Sequence, residues 1–281
     1  INVFNFSQKS LFINLANFII LNLTSFILAL IPIFFSQYPI KVFKSHYKND
    51  TRIDKNKDKL ILEIGPGDSL STAILASCYG LKSILIDRDN FANKDINHYK
   101  KFSEYLLKNN FIPADISNVS NIEEMLHVCN SQYLTNGIES IKKVDSGCVD
   151  HIFSQAVLEH VRKSEFTIYF EEFFRVLKKN GTSSHQIDLR DHLANALNNL
   201  RFSEKLWESN FFANSGFYTN RLGYEEIKQI AINSGFKVRT DNILKWGELP
   251  TKKHKFSKQF RSLNEETLKI KVFDLFLEKS V

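Results

Sequence analysis

Between residues 183 and 192 the chain reads Ser183-Ser184-His185-Gln186-Ile187-Asp188-Leu189-Arg190-Asp191-His192, a run dense in groups that can move protons. An imidazole titrates near neutral pH, so His192 or His185 is a candidate general base, with Asp188 or Asp191 orienting the ring or binding an acceptor. His160, which follows Glu159, is a third candidate, and a structural histidine satisfied by its surroundings is an equal reading there. The same side chains are donors that suit a divalent ion. H-x-x-D-x-x-D-H is not a recognised ligand spacing, however, and no cysteine lies near, so no metal is expected. A plainer reading has Asp188 and Asp191 capping a helix that begins at Leu193.

A second constellation lies upstream. Glu63-Ile64-Gly65-Pro66-Gly67-Asp68-Ser69 combines an acidic side chain with two glycines that permit a tight turn and close approach of backbone to a ligand. Asp87 follows about 20 residues later, where a carboxylate can accept from both ribose hydroxyls of a nucleoside. A nicotinamide dinucleotide would also want a small residue at position 70 for close helix packing over its pyrophosphate, and the chain has Leu70. A nucleoside that carries an amino-acid moiety fits better. Glu63 could accept from its ammonium, and the first-turn amides could donate to its carboxylate.

These residues need a scaffold that delivers them to one place. Leu60 to Ile64 is a short apolar run suited to a buried parallel strand. A helix is predicted over Leu70 to Tyr79, ending at Gly80, and a second strand over Ser83 to Asp87. Phe91 to Asn130 reads as mostly helical. Further strands are expected at Gln132 to Thr135, Val149 to Ser154, Gly181 to Asp188, Lys237 to Thr240 and Val272 to Leu277, with an amphipathic helix over Ser164 to Lys178. Strands alternating with helices imply an α/β fold with a mostly parallel, doubly wound sheet, whose ligands lie past the carboxyl ends of the strands.

Four blocks then stand in order between residues 63 and 182: E-I-G-P-G-D-S, I-L-I-D-R-D, V-D-H-I-F-S-Q-A-V-L-E-H-V and F-R-V-L-K-K-N-G-T. Together they resemble class I S-adenosylmethionine (SAM)-dependent methyltransferases of the small-molecule type, most closely bacterial ones of uncharacterised or glycan-related role. The resemblance implies a Rossmann-like seven-stranded sheet with an antiparallel seventh strand, and SAM as cofactor. It assigns the methionine moiety to Glu63, Gly65 and Gly67, with Pro66, Asp68 and Ser69 in the same loop, and the ribose to Asp87 beside Arg88. Gln155 and Ala156 would lie beside the sulfonium and the acceptor. The chain departs from the family pattern at Ser69, which replaces a third glycine, and at Asn136, which replaces the acidic residue that meets the adenine amino group. The implied activity is methyl transfer to a hydroxyl of a small molecule or sugar. A nicotinamide-dependent oxidoreductase and a non-catalytic SAM-binding protein are the alternatives.

Composition sets the outer limits. The 281 residues are 43% hydrophobic and 24% charged, and the formal charge of +6 is spread along the chain, which argues against a nucleic-acid partner. Cys78, Cys129 and Cys148 are isolated, as suits a reducing cytoplasm. No formal charge occurs from Ser10 to Ile40, and residues 11–35 are long and apolar enough for membrane association, with the remainder at the cytoplasmic face, or for a buried helical cap. The expected organisation is an apolar helical extension with its connector over 1–59 and a catalytic domain over 60–281, within which residues 189–235 form a helical lid over a small-molecule or glycan acceptor.

Overall fold

The computed structural model describes residues 37–47 and 59–280. Contacts divide the chain into two units, Ile1–Ser45 and His46–Val281. The described residues of the first are helical, part of a helix α1 over residues 37–47 whose last two residues belong to the second unit. Residues 11–35 lie outside the described residues. Among the described residues no helix is long and apolar enough to cross a membrane.

The second unit is built on seven strands: β1 (Leu60–Ile64), β2 (Lys82–Ile86), β3 (Ser131–Leu134), β4 (Val149–Gln155), β5 (Leu177–Asp188), β6 (Lys237–Lys245) and β7 (Ile270–Glu278). They form one sheet in the order β3-β2-β1-β4-β5-β7-β6. The first five pair in parallel, and β7 runs antiparallel between β5 and β6. This is the Rossmann-like, doubly wound arrangement with an antiparallel seventh strand. Strand order reverses between β1 and β4, so a crevice opens past the carboxyl ends of those strands.

Sequence accounts for the layers. Ile61, Leu62, Ile64, Ile84, Leu85 and Ile86 are all buried, as central strands covered on both faces require. The helices in chain order are α2 (Ser71–Cys78), α3 (Ile96–Lys108), α4 (Ile122–Val128), α5 (Ile138–Ile141), α6 (Lys163–Val176), α7 (Glu204–Trp207), α8 (Asn210–Ala213), α9 (Tyr224–Asn233) and α10 (Glu265–Leu268). In α6, Phe166, Tyr169, Phe170, Phe173 and Val176 are buried. Their three- and four-residue spacing makes one apolar face, and burying each phenylalanine is worth about 2 to 3 kcal/mol. That face joins Ile152 and Ile187 in the main core.

The structure departs from the expectations in three places. The helical stretch predicted over 91–130 is two helices, because α3 ends at an Asn109–Asn110 pair, with Asn110 left-handed at φ 63°, and Pro113 follows. β5 starts at Leu177, and its register on β4 shifts between Val149 and His151. No helix begins at Leu193. The buried Asp191 carboxylate accepts from the backbone N–H of Leu193, Ala194 and Asn198, winding that stretch into a turn, while Asp188 is engaged by Arg190 instead.

Candidate active site

The floor of the crevice is the turn between β1 and α2. Gly65 and Gly67 adopt φ values of +71° and +67°, in the left-handed region that a side chain disfavours. A Cβ on Gly65 would stand 2.5 Å from Val157 Cγ2, whereas one on Gly67 would meet no protein atom within 4 Å. Asp87, at the end of β2, ties the turn to the next strand. Its carboxylate accepts from Gly67 N–H at 3.0 Å and from Arg88 N–H at 2.8 Å. Burial raises the Asp87 carboxyl, with those two bonds opposing it. Glu63 is buried and bonded by the Thr72 hydroxyl, its Oε2 has no partner, and burial pushes its carboxyl up to about 8.

Above this floor lies a cleft of about 540 Å³, of the size that holds small ligands. Gly65, Gly67, Asp87, Arg88, Gln155, Ala156 and His160 line it, so the structure brings these predicted residues together. Ala156 is left-handed at φ 53°, a conformation that costs a non-glycine residue of order 1–3 kcal/mol and collects at functional sites. Five predicted residues of the same neighbourhood are not in the lining, the buried Glu63 and the half-buried Pro66 among them. Asp68 is exposed, Ser69 bonds Ser71 through their hydroxyls at 2.6 Å, and Asn136 is exposed while its neighbour Gly137 lines the cleft.

The candidate bases separate sharply. His160 Nδ1 lies 2.8 Å from the Tyr218 carbonyl, and a carbonyl only accepts, so Nδ1 carries the hydrogen and Nε2 keeps a lone pair. Burial lowers its pKa, and His192 lowers it further. His192 is exposed, and its ring meets that of His160 edge-on at 4.8 Å. Asp188 is held by Arg190, Nε to Oδ1 at 2.8 Å, and its N–H reaches Glu159 Oε1 at 3.3 Å. Glu159 is buried, with burial and then Asp188 raising its carboxyl to about 8.

His185 does not reach the cleft. It is fully buried, stacked on Phe173 at 5.3 Å, and bonded to Ser154 and Ser183 through its two ring nitrogens. Side chains alternate faces along a strand. Residue 185 therefore points toward α6, while Ser184 and Gln186 take the other face. Among the described residues no group of three histidine, cysteine or acidic side chains is arranged to hold a metal.

The segment predicted as a lid contributes Ala213 to Gly216 and Tyr218 to the cleft. Its aromatic residues mostly meet one another, with Phe202, Phe212, Phe217 and Tyr218 around the buried Trp207. Asn220 anchors the segment, since its side chain donates to Leu158 O and Val161 O, and its N–H to Glu159 O. A second cavity of about 480 Å³ lies beneath it, where Glu204 accepts from Lys163, Arg221 and Gln259. Sequence reasoning missed Tyr169 and Phe91 in the cleft, and it missed His46, whose Nε2 lies 3.0 Å from Gln155 Oε1. No motif marks any of the three.

Residues 62–184 match the methyltransferase domain family, a span that holds all four sequence blocks whole and ends at the Ser184 of β5. The chain carries a SAM-dependent methyltransferase domain over these residues. Among solved structures, this methyltransferase is similar to a SAM-dependent methyltransferase from Archaeoglobus fulgidus, at 13% identity over 85% of this chain and 94% of that one, TM-score 0.46. A second, from Methanosarcina mazei, shares 17% identity over 80% and 93%, TM-score 0.45. A third, phosphoethanolamine N-methyltransferase 2 of Haemonchus contortus, shares 14% over 80% of this chain, TM-score 0.41, and the match spans 49% of that longer chain. No curated protein matches the sequence. The glycine turn, the ribose-spaced carboxylate and, behind them, a buried carboxyl with an orphaned oxygen fit a group of SAM's chemistry.

Proposed function

We propose that the methyltransferase moves the methyl group of SAM to a hydroxyl of a small molecule or sugar, with His160 as general base. Bound SAM supplies a methyl group already activated on a sulfonium. In this reading Gly65 and Gly67 leave room for the methionine moiety, Glu63 answers its ammonium, and Asp87 accepts from the ribose, with Gln155 and Ala156 beside the reacting centre. The protein's work is then to align the acceptor, exclude water and take one proton.

The observation that carries the reading is the His160 imidazole. Its Nδ1–H is committed to the Tyr218 carbonyl, so the tautomer is fixed and Nε2 is the basic atom. Its lowered pKa leaves it unprotonated at neutral pH. With the sulfonium sulfur keeping the pair of the C–S bond and leaving as S-adenosylhomocysteine, the acceptor oxygen would take the methyl group and its hydroxyl proton would pass to His160 Nε2, with the exposed His192 beside it as a route to solvent. Asp188 stabilises the imidazolium that forms, since its charge raises the His160 pKa.

Calorimetry with S-adenosylhomocysteine (SAH) and a radiolabelled methyl-transfer assay on hydroxylated small molecules and glycans test this together. His160→Ala is expected to keep its SAH affinity within about twofold while transfer falls by roughly 10² to 10⁴, and Asp87→Ala to lose affinity. Above the lowered His160 pKa the rate is flat, and its acid limb lies below pH 6.5. Transfer that survives in His160→Ala, or moves only nitrogen acceptors, sinks the assignment.

A further inference from the structure

A row of buried and half-buried polar groups crosses the sheet face opposite α6 and reaches the cleft at Gln155. β5 contributes Thr182, Ser184 and Gln186, β4 contributes His151 and Gln155, and β7 contributes Asp274. His46, from the end of α1, joins the row between two strands. Its Nδ1 is 2.8 Å from Ser184 Oγ, its Nε2 is 3.0 Å from Gln155 Oε1, and its ring stacks on Phe153 at 5.2 Å. The residue is 6% exposed.

One group sets the direction of every bond in the row. A carboxylate only accepts, and Asp274 takes Gln186 Nε2–H at 3.3 Å and Asn242 Nδ2–H at 2.7 Å. Gln186 therefore offers its Oε1 to Gln155, whose Nε2 donates. Gln155 in turn offers Oε1 to His46, so His46 Nε2 must carry the hydrogen and its Nδ1 takes the Ser184 hydroxyl hydrogen. Ser184 Oγ then accepts from His151 Nε2–H at 3.1 Å, and His151 Nδ1 accepts from Thr182 at 2.8 Å. Donors and acceptors alternate from Thr182 to Asp274 without conflict, and a satisfied buried network of this kind holds its members in one arrangement. Burial lowers the His46 pKa, in keeping with a neutral ring that has one donor and one acceptor.

We propose that His46 is a positioning residue for the cofactor cleft, acting through Gln155: its Nε2–H holds the carbonyl end of the carboxamide while Gln186 holds the amide end. Gln155 then presents a fixed edge to SAM. This rests on the placement of SAM beside Gln155 given above.

SAH calorimetry on the full chain separates this role from plain packing. Glutamine at position 46 keeps an N–H at about the reach of Nε2, whereas asparagine keeps a polar group only near Nδ1, and both remove the stacked ring. His46→Asn is expected to weaken SAH binding about tenfold, the scale set by orphaning a buried acceptor. His46→Gln should stay within about threefold of the unaltered protein, and His46→Asn should add less than about twofold in a Gln155→Ala background. Equal losses in the two variants, loss of fold in both, no loss in His46→Asn, or a loss that persists without Gln155 each overturn the proposal. If the unaltered chain takes up no SAH, the cofactor placement itself fails, a result distinct from any of these.

Discussion

Glu63 is buried, two residues ahead of Gly65, with a carboxyl pushed up to about 8 and an oxygen that bonds nothing. At pH 7 it holds its proton. An arriving ammonium favours the charged form, so binding should expel that proton. Calorimetry at pH 7 in buffers of different ionisation heat is expected to show a release approaching about one proton per SAH bound, and none from Glu63→Gln. The same proton count in both proteins would remove Glu63 from the cofactor's amino end. This residue was legible in sequence because its position relative to two glycines is local, and Asp87 because a strand and a helix fix its distance from the turn. The role of His160 was not separable from those of His185 and His192. Its tautomer depends on a carbonyl 58 residues away at Tyr218, and no spacing rule reaches that far.

At the scale of elements, the turn that follows β1 discriminates between its two glycines. Placing a non-glycine residue in the left-handed region costs roughly 1–2 kcal/mol, which applies to both. Only at Gly65 does the new Cβ also collide, at 2.5 and 2.7 Å from the Val157 methyls. Gly65→Ala should therefore lower the melting midpoint more than Gly67→Ala and weaken SAH binding at least about tenfold, and adding Val157→Ala should recover part of both losses. Indistinguishable melts for the two single variants would show that Val157 yields freely. The strands and the amphipathic α6 were readable because apolar periodicity is written into 60–64, 83–87 and 164–178. β5 was read for its ionisable groups, although the alternation of Thr182, Ser184 and Gln186 already assigned one face to polar residues and sent His185 to the other. The turn made by the Asp191 carboxylate was missed for a different reason. Capping by aspartate was expected at that position, but the three N–H groups it collects close a loop instead of opening a helix.

Among the described residues burial raises two carboxyls to about 8 and lowers three imidazoles, and their opposite signs predict how stability depends on pH. Glu63 and Glu159 are each raised from 4.5 to about 8. Each stays protonated in the folded state over a range in which the unfolded chain has released its proton, so each contributes stability at low pH that is lost as pH rises toward 8. His46, His160 and His185 are lowered from 6.5 by burial, so their contribution is present above 6.5 and is lost as pH falls below it. Below 6.5 the two sets oppose one another, and the histidine contribution saturates within about one pH unit above it, leaving the carboxyls to set the trend. Between pH 6.5 and 8 linkage gives a loss on the order of 1 to 2 kcal/mol for each carboxyl, partly offset by the last of the histidine contribution. The cysteine thiols do not disturb that window, since burial pushes Cys78 and Cys129 up to about 11. Urea unfolding at pH 6.5, 7.2 and 8.0 is therefore expected to show declining stability, and Glu159→Gln, which keeps the shape without the titration, should remove at least half of the decline. Stability that is level or rising across this interval would mean that the two carboxyls ionise in the folded protein, and with it would go the protonated Glu63 on which the cofactor's proton release depends.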